Sequence, residues 1–311
     1  MVIDYSIVVP VYNEEEIVRE FYNELIKVLN NINGAIEIIF VTGGNTDSTL
    51  SILRGIASSD KRVKAINMSR RFDYQVALTA GFDHSLGNAI ISMDGDLQHP
   101  PSLIPELIKQ YKQGFNIVYT VRHDTEGESI LKKIGSKLFY LALKTLTQID
   151  FDKNAADFRL LSRKAVDALK QYPERKRYIP GMISLLGFNK IGVEYTALKR
   201  NKGRSKFSFM RMFSLAIDGI FSFSNIPIRI ITFAGLIMSF LSIIFLVYVV
   251  VWRILHSQDS SGWASILASL LLLSSLQILT LGVVGEYVSK IYEETKHRPL
   301  YIVDEIIGNE K

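Results

Sequence analysis

The stretch IISMDGDLQHPP, residues 90–101, is the one whose reading decides the fold. An apolar run from Ile90 to Met93 gives out into two carboxylates, Asp94 and Asp96, and two prolines then open a new segment. This reads as a short buried strand, a polar turn and a helix that tolerates Pro in its first turn. Working outward, the same unit recurs. YSIVVPVY (5–12), IEIIFV (36–41), VKAIN (63–67), AIISM (89–93) and NIVYTV (116–121) read as short strands. Residues around 14–30, 47–58, 74–86, 101–113 and 129–147 carry helical spacing. Strand and helix in alternation predict an α/β domain: a mostly parallel sheet with helices on both faces. In such sheets ligands bind beyond the carboxyl ends of the strands. There the sequence places Asn13 and Glu14, Thr42 to Asn45, Asp94 and Asp96, and Arg122.

The remainder of the chain has a different character. Of 311 residues 48% are hydrophobic, more than a wholly soluble domain needs, and the excess lies late. From Ile228 to Trp252 Arg229 is the only charge, and Trp263 to Val284 has none. Each run is long enough to cross a hydrocarbon core of about 30 Å. Of positive charges the loop between them carries only Arg253, whereas Arg229, Lys290, Lys296 and Arg298 flank the outer ends. The positive-inside rule therefore predicts an integral membrane protein with its main domain and both termini in the cytoplasm. Residues 207–227, FSFMRMFSLAIDGIFSFSNIP, have an apolar face and few charges, the pattern of an interfacial helix. The expected layout is a cytosolic domain over 1–207, an interfacial segment over 208–227, two spans over 228–290 and a cytosolic tail over 291–311.

Composition also excludes. There is no cysteine, so disulfides and thiolate metal sites are ruled out. The net charge of +5 suits attraction to phosphate groups or an anionic leaflet. It does not point to nucleic acid, because the basic residues gather ahead of the spans and not in an aromatic-interleaved patch. No GxGxxG follows the first strand and no GxxxxGK[ST] occurs, so the usual dinucleotide and P-loop cradles are missing.

Asp94 and Asp96 stand at i and i+2 around Gly95, whose freedom lets the backbone bend. Both can turn toward one hard cation, and such an ion typically takes one or two protein carboxylates and completes its shell with substrate phosphate oxygens. An isolated pair of this kind is as compatible with a solvated turn. Asp157 and Arg159, in ADFRLLSR (156–163), are compatible with an ion pair.

Taken in order, VPVYNEEE (9–16), DGDLQHPP (94–101), ADFRLLSR, GRSKFSF (203–209) and two spans make the chain resemble the polyprenyl-phosphate glycosyltransferases. These are family 2 inverting transferases of the GT-A fold, similar in plan to dolichyl-phosphate mannose synthases; the two-span layout resembles the bacterial undecaprenyl-phosphate glucosyltransferase branch. The resemblance implies a UDP-sugar donor, UDP-glucose first among them, a polyprenyl phosphate acceptor and Mg2+ or Mn2+. It puts Pro10, Tyr12, Asn13, Glu14 and Asp47 around the nucleoside, Asp94 and Asp96 on the metal with Asp96 the main ligand, and Gln98 on the donor-facing turn. It assigns Asp157 the catalytic-base role with Arg159 beside it. Phosphates meet Arg200, Arg204 and Lys206, with Arg122 and Lys137 as further basic candidates. VTGGNTDST (41–49) departs from the family's acidic VDDGS, since Thr42 and Gly43 stand where acids are expected, and Ala156 stands where glycine is common. A processive polysaccharide synthase would need a QxxRW motif, which the two tryptophans do not form, and a membrane-tethered nucleotide-sugar-binding protein would not need three separated acids. Ala234, Gly235 and Ser239 offer a small-residue face for homo-oligomer formation.

Overall fold

Burial along the first strands follows from their sequence. In β1 (Tyr5–Pro10) five of six residues are buried and in β2 (Ile36–Gly43) all eight are, the near-continuous apolar pattern of strands covered on both faces. The computed structural model describes residues 2–123, 155–175, 177–196, 226–255 and 262–308. Within these the chain forms β3 (Val63–Met68), β4 (Ala89–Ser92), β5 (Ile117–His123), β6 (Ala155–Ser162), β7 (Lys190–Thr196) and β8 (Val303–Ile307). The covering helices are α1 (Val18–Leu29), α2 (Thr49–Ser59), α3 (Tyr74–Asp83) and α4 (Ile104–Lys112), followed by α5 (Arg163–Lys170) and α6 (Ile179–Leu185). The first is amphipathic: Val18, Phe21, Leu25 and Leu29 are its buried stripe, with Glu20 in the first turn and Lys27 in the last. By contrast α3 is buried without a break from Ala77 to Phe82, so it is held rigidly in the core.

The sheet order is β7-β5-β6-β4-β1-β2-β3-β8. From β1 the chain winds through β2 and β3 on one side and then crosses to β4 on the other, all parallel. The order therefore reverses between β1 and β4, the place where open α/β sheets form a crevice for ligands. The sheet is mixed: β6 runs antiparallel to β4 and β5, and β8 runs antiparallel to β3. An antiparallel strand starts where its neighbours end, so the beginning of β6, with Asp157, lies beside the carboxyl end of β4. The five strands read from the sequence are present. Three were not read: β6, seen only as a motif, β7 and β8. The helical spacing at 129–147 lies outside the described residues.

Two compact units divide the chain, and residues 298–311 belong with the first. Within the stretch expected as a tail, residues up to Thr295 end a long helix and Val303–Ile307 form an edge strand. The register runs from Ala65↔Ile307 to Met68↔Val303, and Ser69 N donates to Ile302 O at 2.9 Å. Asn67 Nδ2 donates to Asp304 Oδ2 at 3.2 Å, Tyr301 Oη to Asp83 Oδ2 at 3.0 Å, and Arg54 pairs with Glu305.

The second unit contains α7 (Ile226–Leu255) and α8 (Trp263–Thr295). At 30 and 33 residues both are long and apolar enough to cross a membrane. Phe233, Phe240, Leu270 and Leu281 are among the large apolar side chains they expose. The hydroxyls of Thr232, Ser275 and Thr280 each donate to the carbonyl four residues earlier, which satisfies them inside the helix. The interfacial segment expected at 208–227 falls almost wholly outside the described residues.

Candidate active site

Three strand-end loops meet at the crevice beside β1. After β1 the backbone enters the left-handed region at Asn13 (φ 51°), a conformation that Asn tolerates better than most residues. Its side chain then bridges to the loop after β2: Asn13 Nδ2 donates to Thr46 Oγ1 at 2.9 Å, Thr46 N donates back to Asn13 Oδ1 at 3.0 Å, and Asn13 N donates to Asn45 Oδ1 at 3.1 Å. Glu14 N donates to Thr49 Oγ1 at 2.9 Å. Asp47 accepts from Glu15 N at 3.2 Å and from Thr49 N at 3.0 Å, one bond on each oxygen. Burial alone would raise its carboxyl, but hydrogen bonds from Thr49 and Glu15 hold it below the usual range. Asn13 and Asp47, expected around the nucleoside, are brought together, with their polar atoms engaged in fixing the two loops to each other. Pro10 ends β1 opposite Val41, and Tyr12 presents its ring to the guanidinium of Arg71 at 4.1 Å.

The departure at Thr42 and Gly43 has a local cause. A Cβ on Gly43 would lie 2.6 Å from the carbonyl oxygen of Arg70, so no acid fits there while the loop after β3 packs this closely. Thr42 is buried and its Oγ1 accepts from Asn45 Nδ2 at 2.6 Å. Gly95 is likewise required by close approach, since a Cβ there would come within 2.8 Å of Val11 Cγ1. The glycine seats the acidic loop on the end of β1; the bend expected of it is not its distinguishing feature, as the left-handed residue of that loop is Leu97 (φ 61°).

Asp94 is the most constrained of the acids. Its backbone N–H donates to His99 Nδ1 at 3.0 Å and its Oδ1 accepts from Tyr74 Oη at 2.6 Å. His99 is buried, stacked on Phe158 with ring centroids 5.4 Å apart and edge-on to Tyr195. Because Nδ1 accepts a hydrogen bond it carries no hydrogen, so the 3.5 Å approach of Nδ1 to Asp94 Oδ2 is a contact and not an ion pair. Burial pushes the Asp94 carboxyl up, His99 and the Tyr74 hydrogen bond oppose the shift, and the charges of Asp157 and Asp96 add to it. The same burial and the Asp94 charge raise the Tyr74 phenol well above its ordinary value, so it stays a donor. Asp96 Oδ1 accepts from Gln98 N at 3.1 Å, closing the turn.

Across the crevice Asp157 Oδ1 accepts from Arg159 Nη2 at 2.7 Å, and the buried guanidinium also donates to Ala156 O at 3.1 Å. Ser92 Oγ donates to the Asp157 carbonyl at 2.9 Å, tying β6 to the residue before the acidic loop. The ion pair between Asp157 and Arg159, open from the sequence, is therefore present. Ala156, whose extra carbon could have crowded the loop, packs against the core with its carbonyl used by Arg159. Arg122 stands opposite Tyr195 in the β5–β7 pairing. Lys137, Arg200, Arg204 and Lys206 lie outside the described residues. Among the described residues no group of three or more His, Asp or Glu side chains is set to cage a cation.

Residues 6–170, more than half of the 311, match the model of glycosyl transferase family 2. The chain belongs to this family. It is 39% identical over 310 residues to an uncharacterized glycosyltransferase of Synechocystis sp., covering 100% of this chain and 98% of that one. It is 36% identical over 298 residues to the bactoprenol glucosyl transferase of Shigella phage SfV, covering 96% and 97%. Among solved structures it is similar to the glucosyl-3-phosphoglycerate synthase of Mycobacterium tuberculosis in complex with Mg2+ and uridine diphosphate, with TM-score 0.52 and 19% identity over 72% of this chain and 80% of that one. At that identity the likeness is one of fold, and the fold of this family 2 transferase is GT-A.

The sequence reading passed over the loop after β3, SRRFDY (69–74), although the strand-end rule applies to it equally. It supplies Arg71 against Tyr12 and Tyr74 against Asp94. His99, inside the quoted motif, was also missed; its position behind the acids was the available signal.

Proposed function

We propose that this family 2 enzyme transfers glucose from UDP-glucose, with inversion, to a polyprenyl phosphate at a membrane surface. The observation that carries the reading is the gathering of Asp94, Asp96 and Asp157 at the crevice between β1 and β4, where burial first and the neighbouring acids after it lift the Asp94 carboxyl. Near full-length likeness to a bactoprenol glucosyl transferase supports the choice of sugar and acceptor.

An oxygen of the acceptor phosphate attacks the anomeric carbon, the new C–O bond forms on the face opposite the leaving group, and the bond to the diphosphate breaks with its electrons going to UDP. The acceptor is already largely ionised, by analogy with phosphate monoesters of second pKa about 6. It needs little help from a base, and Asp157, with one oxygen engaged by Arg159, suits orientation and charge balance better than proton removal. Asp96 and Asp94 are hard oxygen donors that fit Mg2+ or Mn2+ as two protein ligands, the donor's phosphates supplying others. Such an ion, when bound, stabilises the charge that gathers on the departing diphosphate. Asn13, Asp47 and Glu14 shape the nucleoside pocket together with Tyr12, Pro10 and Gln98. Arg122, Lys137, Arg200, Arg204 and Lys206 provide positive charge for phosphates.

The membrane reading gains support from β8. Residues before α7 and after α8 belong to one sheet, so a chain that crosses a bilayer between them crosses it an even number of times. With the positive charges at the outer ends of both helices, this supports a two-span hairpin whose catalytic side is cytoplasmic. Association of copies through Ala234, Gly235 and Ser239 is part of the same proposal.

The test is to incubate the full-length protein with radiolabelled UDP-glucose, undecaprenyl phosphate and Mg2+ or Mn2+ and extract the lipid. Label in the lipid phase is the expected result. Label that appears only with another nucleotide sugar would replace glucose, and no lipid product from any nucleotide sugar would sink the acceptor assignment.

A further inference from the structure

We propose that Tyr74 is a positioning residue that commits one oxygen of Asp94 and thereby reserves the other for the donor's cation. The proposal rests on the reading of Asp94 as a cation ligand given above. Tyr74 begins α3, whose next turns are buried without interruption from Ala77 to Phe82, and Gln75 Oε1 accepts from Ile179 N at 3.2 Å. The phenol is therefore mounted on a rigid, doubly anchored helix start. Asp94, by contrast, sits in a loop after β4 has ended. When a loop carboxylate meets a fixed donor at 2.6 Å, the fixed group sets the geometry of the loop.

Two contacts lock the two parts of Asp94 separately. His99 takes its backbone N–H, and Tyr74 takes Oδ1. The Oδ2 atom faces His99 Nδ1 at 3.5 Å, an atom already used as an acceptor, so that nitrogen has no hydrogen to offer it. One oxygen is thus engaged and the other is oriented but unclaimed by Tyr74 or His99. A carboxylate with two free oxygens can chelate through both or swing between partners; one held at Oδ1 can offer a single ligand atom in a fixed direction. Partners of this outer kind are what orient ligating side chains in metal sites generally.

The experiment is a titration of Mn2+ onto the full-length protein in detergent with UDP present, followed by the electron paramagnetic resonance signal of free Mn2+. Tyr74→Phe removes only the hydroxyl from the same volume, so the melting temperature without metal and the affinity for UDP without metal should match the parent. Its Mn2+ affinity should fall by about 10- to 100-fold, the usual consequence of removing an outer partner. Asp94→Asn should also lose affinity, and because Tyr74 acts through Asp94, adding Tyr74→Phe to Asp94→Asn should cost nothing more. Parental affinity in Tyr74→Phe beside a clear loss in Asp94→Asn overturns the role of Tyr74 alone, as does a double variant that shows the full loss of both. Parental affinity in Asp94→Asn overturns the cation reading itself, and the proposal with it.

Discussion

At the amino ends of the strands Glu37 has a partner for each side of its carboxylate, whereas at the carboxyl ends of the same sheet Asp94 shares its pocket with two further acids. Glu37 Oε1 accepts from Ser6 Oγ at 2.6 Å and from Leu86 N at 2.6 Å, and Oε2 pairs with Lys64 Nζ at 3.2 Å. Ser6 Oγ in turn accepts from Gly87 N at 2.8 Å. Nearby, Asp60 binds Arg62 and the Tyr22 hydroxyl, and Tyr22 is pushed up to about 12 by burial first and by Asp60 second. Every charge there has an opposite charge or a donor beside it. At the other end three acids are kept together, and the Asp94 carboxyl is pushed upward by burial first and by Asp157 and Asp96 after it, against His99 and Tyr74. Residue type is alike at the two ends, so it does not mark function. What sets Asp94 apart is the company of two further acids, an arrangement a fold retains where a ligand relieves it.

Removing charge at the two ends should therefore have opposite signatures. The largest effect is expected from Asp96→Asn: transfer of labelled glucose to lipid should fall by at least about 100-fold, on the scale of losing one electrostatic contact to the transition state. The melting temperature should hold, since one like charge has gone from beside Asp94. Activity that survives both this change and a chelator would erase the contrast between the ends.

Asp157→Asn sharpens the comparison, because this acid has features of both ends. Turnover should drop by about 100-fold with donor affinity little changed. Melting should also come earlier, by about 1.5–3 kcal/mol of stability, because the buried Arg159 loses its charged acceptor. Loss of stability with normal turnover would move Asp157 to the structural class.

At the opposite end, Glu37→Ala should cost about 3 kcal/mol by leaving Lys64, Ser6 and the Leu86 N–H unpartnered. Activity per folded molecule should be that of the parent. A chemical melt combined with an activity assay on the soluble fraction separates the two quantities. A catalytic defect at full stability would contradict the division drawn here.

The smallest effect is in acid. Burial of Asp60 opposes ionisation, but its bonds to Arg62 and Tyr22 prevail and hold its carboxyl below the ordinary value. Its contribution to stability is therefore fully present above about pH 4, the unfolded value, and is lost as pH falls further toward the folded one. Asp60→Asn should melt earlier than the parent at neutral pH, with the gap closing as the pH drops below 4. A gap that is constant with pH would mean that charge has no part in it.

Much of this organisation was legible in the chain itself. Continuous apolar runs in β1 and β2 and the stripe of α1 announce the parallel core, because burial on both faces leaves no other composition. The acidic loop was readable from Asp94 and Asp96, and Asp157 from its motif. The hydrogen-bond partners were not, because Tyr74 meets Asp94 only after the chain has crossed the sheet and no local period encodes that meeting. β6 escaped for a related reason: ADFRLLSR carries charges at Asp157 and Arg159 that break strand patterning, and they are tolerated because they pair with each other. Nor does the sequence of β8 distinguish an edge strand from a polar tail, since the edge is defined by β3 far away in the chain.

The pairing of β8 with β3 has a consequence for biogenesis. Some 230 residues of sequence separate Met68 from Val303, and α7 and α8 are synthesised between them. The open flank of β3 must therefore wait, during translation, until the hairpin has been made and its far end has come back. In a chain that spans the bilayer with both helices, a hairpin that stalls half-inserted leaves residues 303–307 in the wrong compartment and the flank of β3 exposed, the kind of unpaired edge that invites aggregation. Under the proposed two-span reading, completion of the sheet beside the loop that continues from β3 through Ser69 to Arg71 follows membrane integration in time.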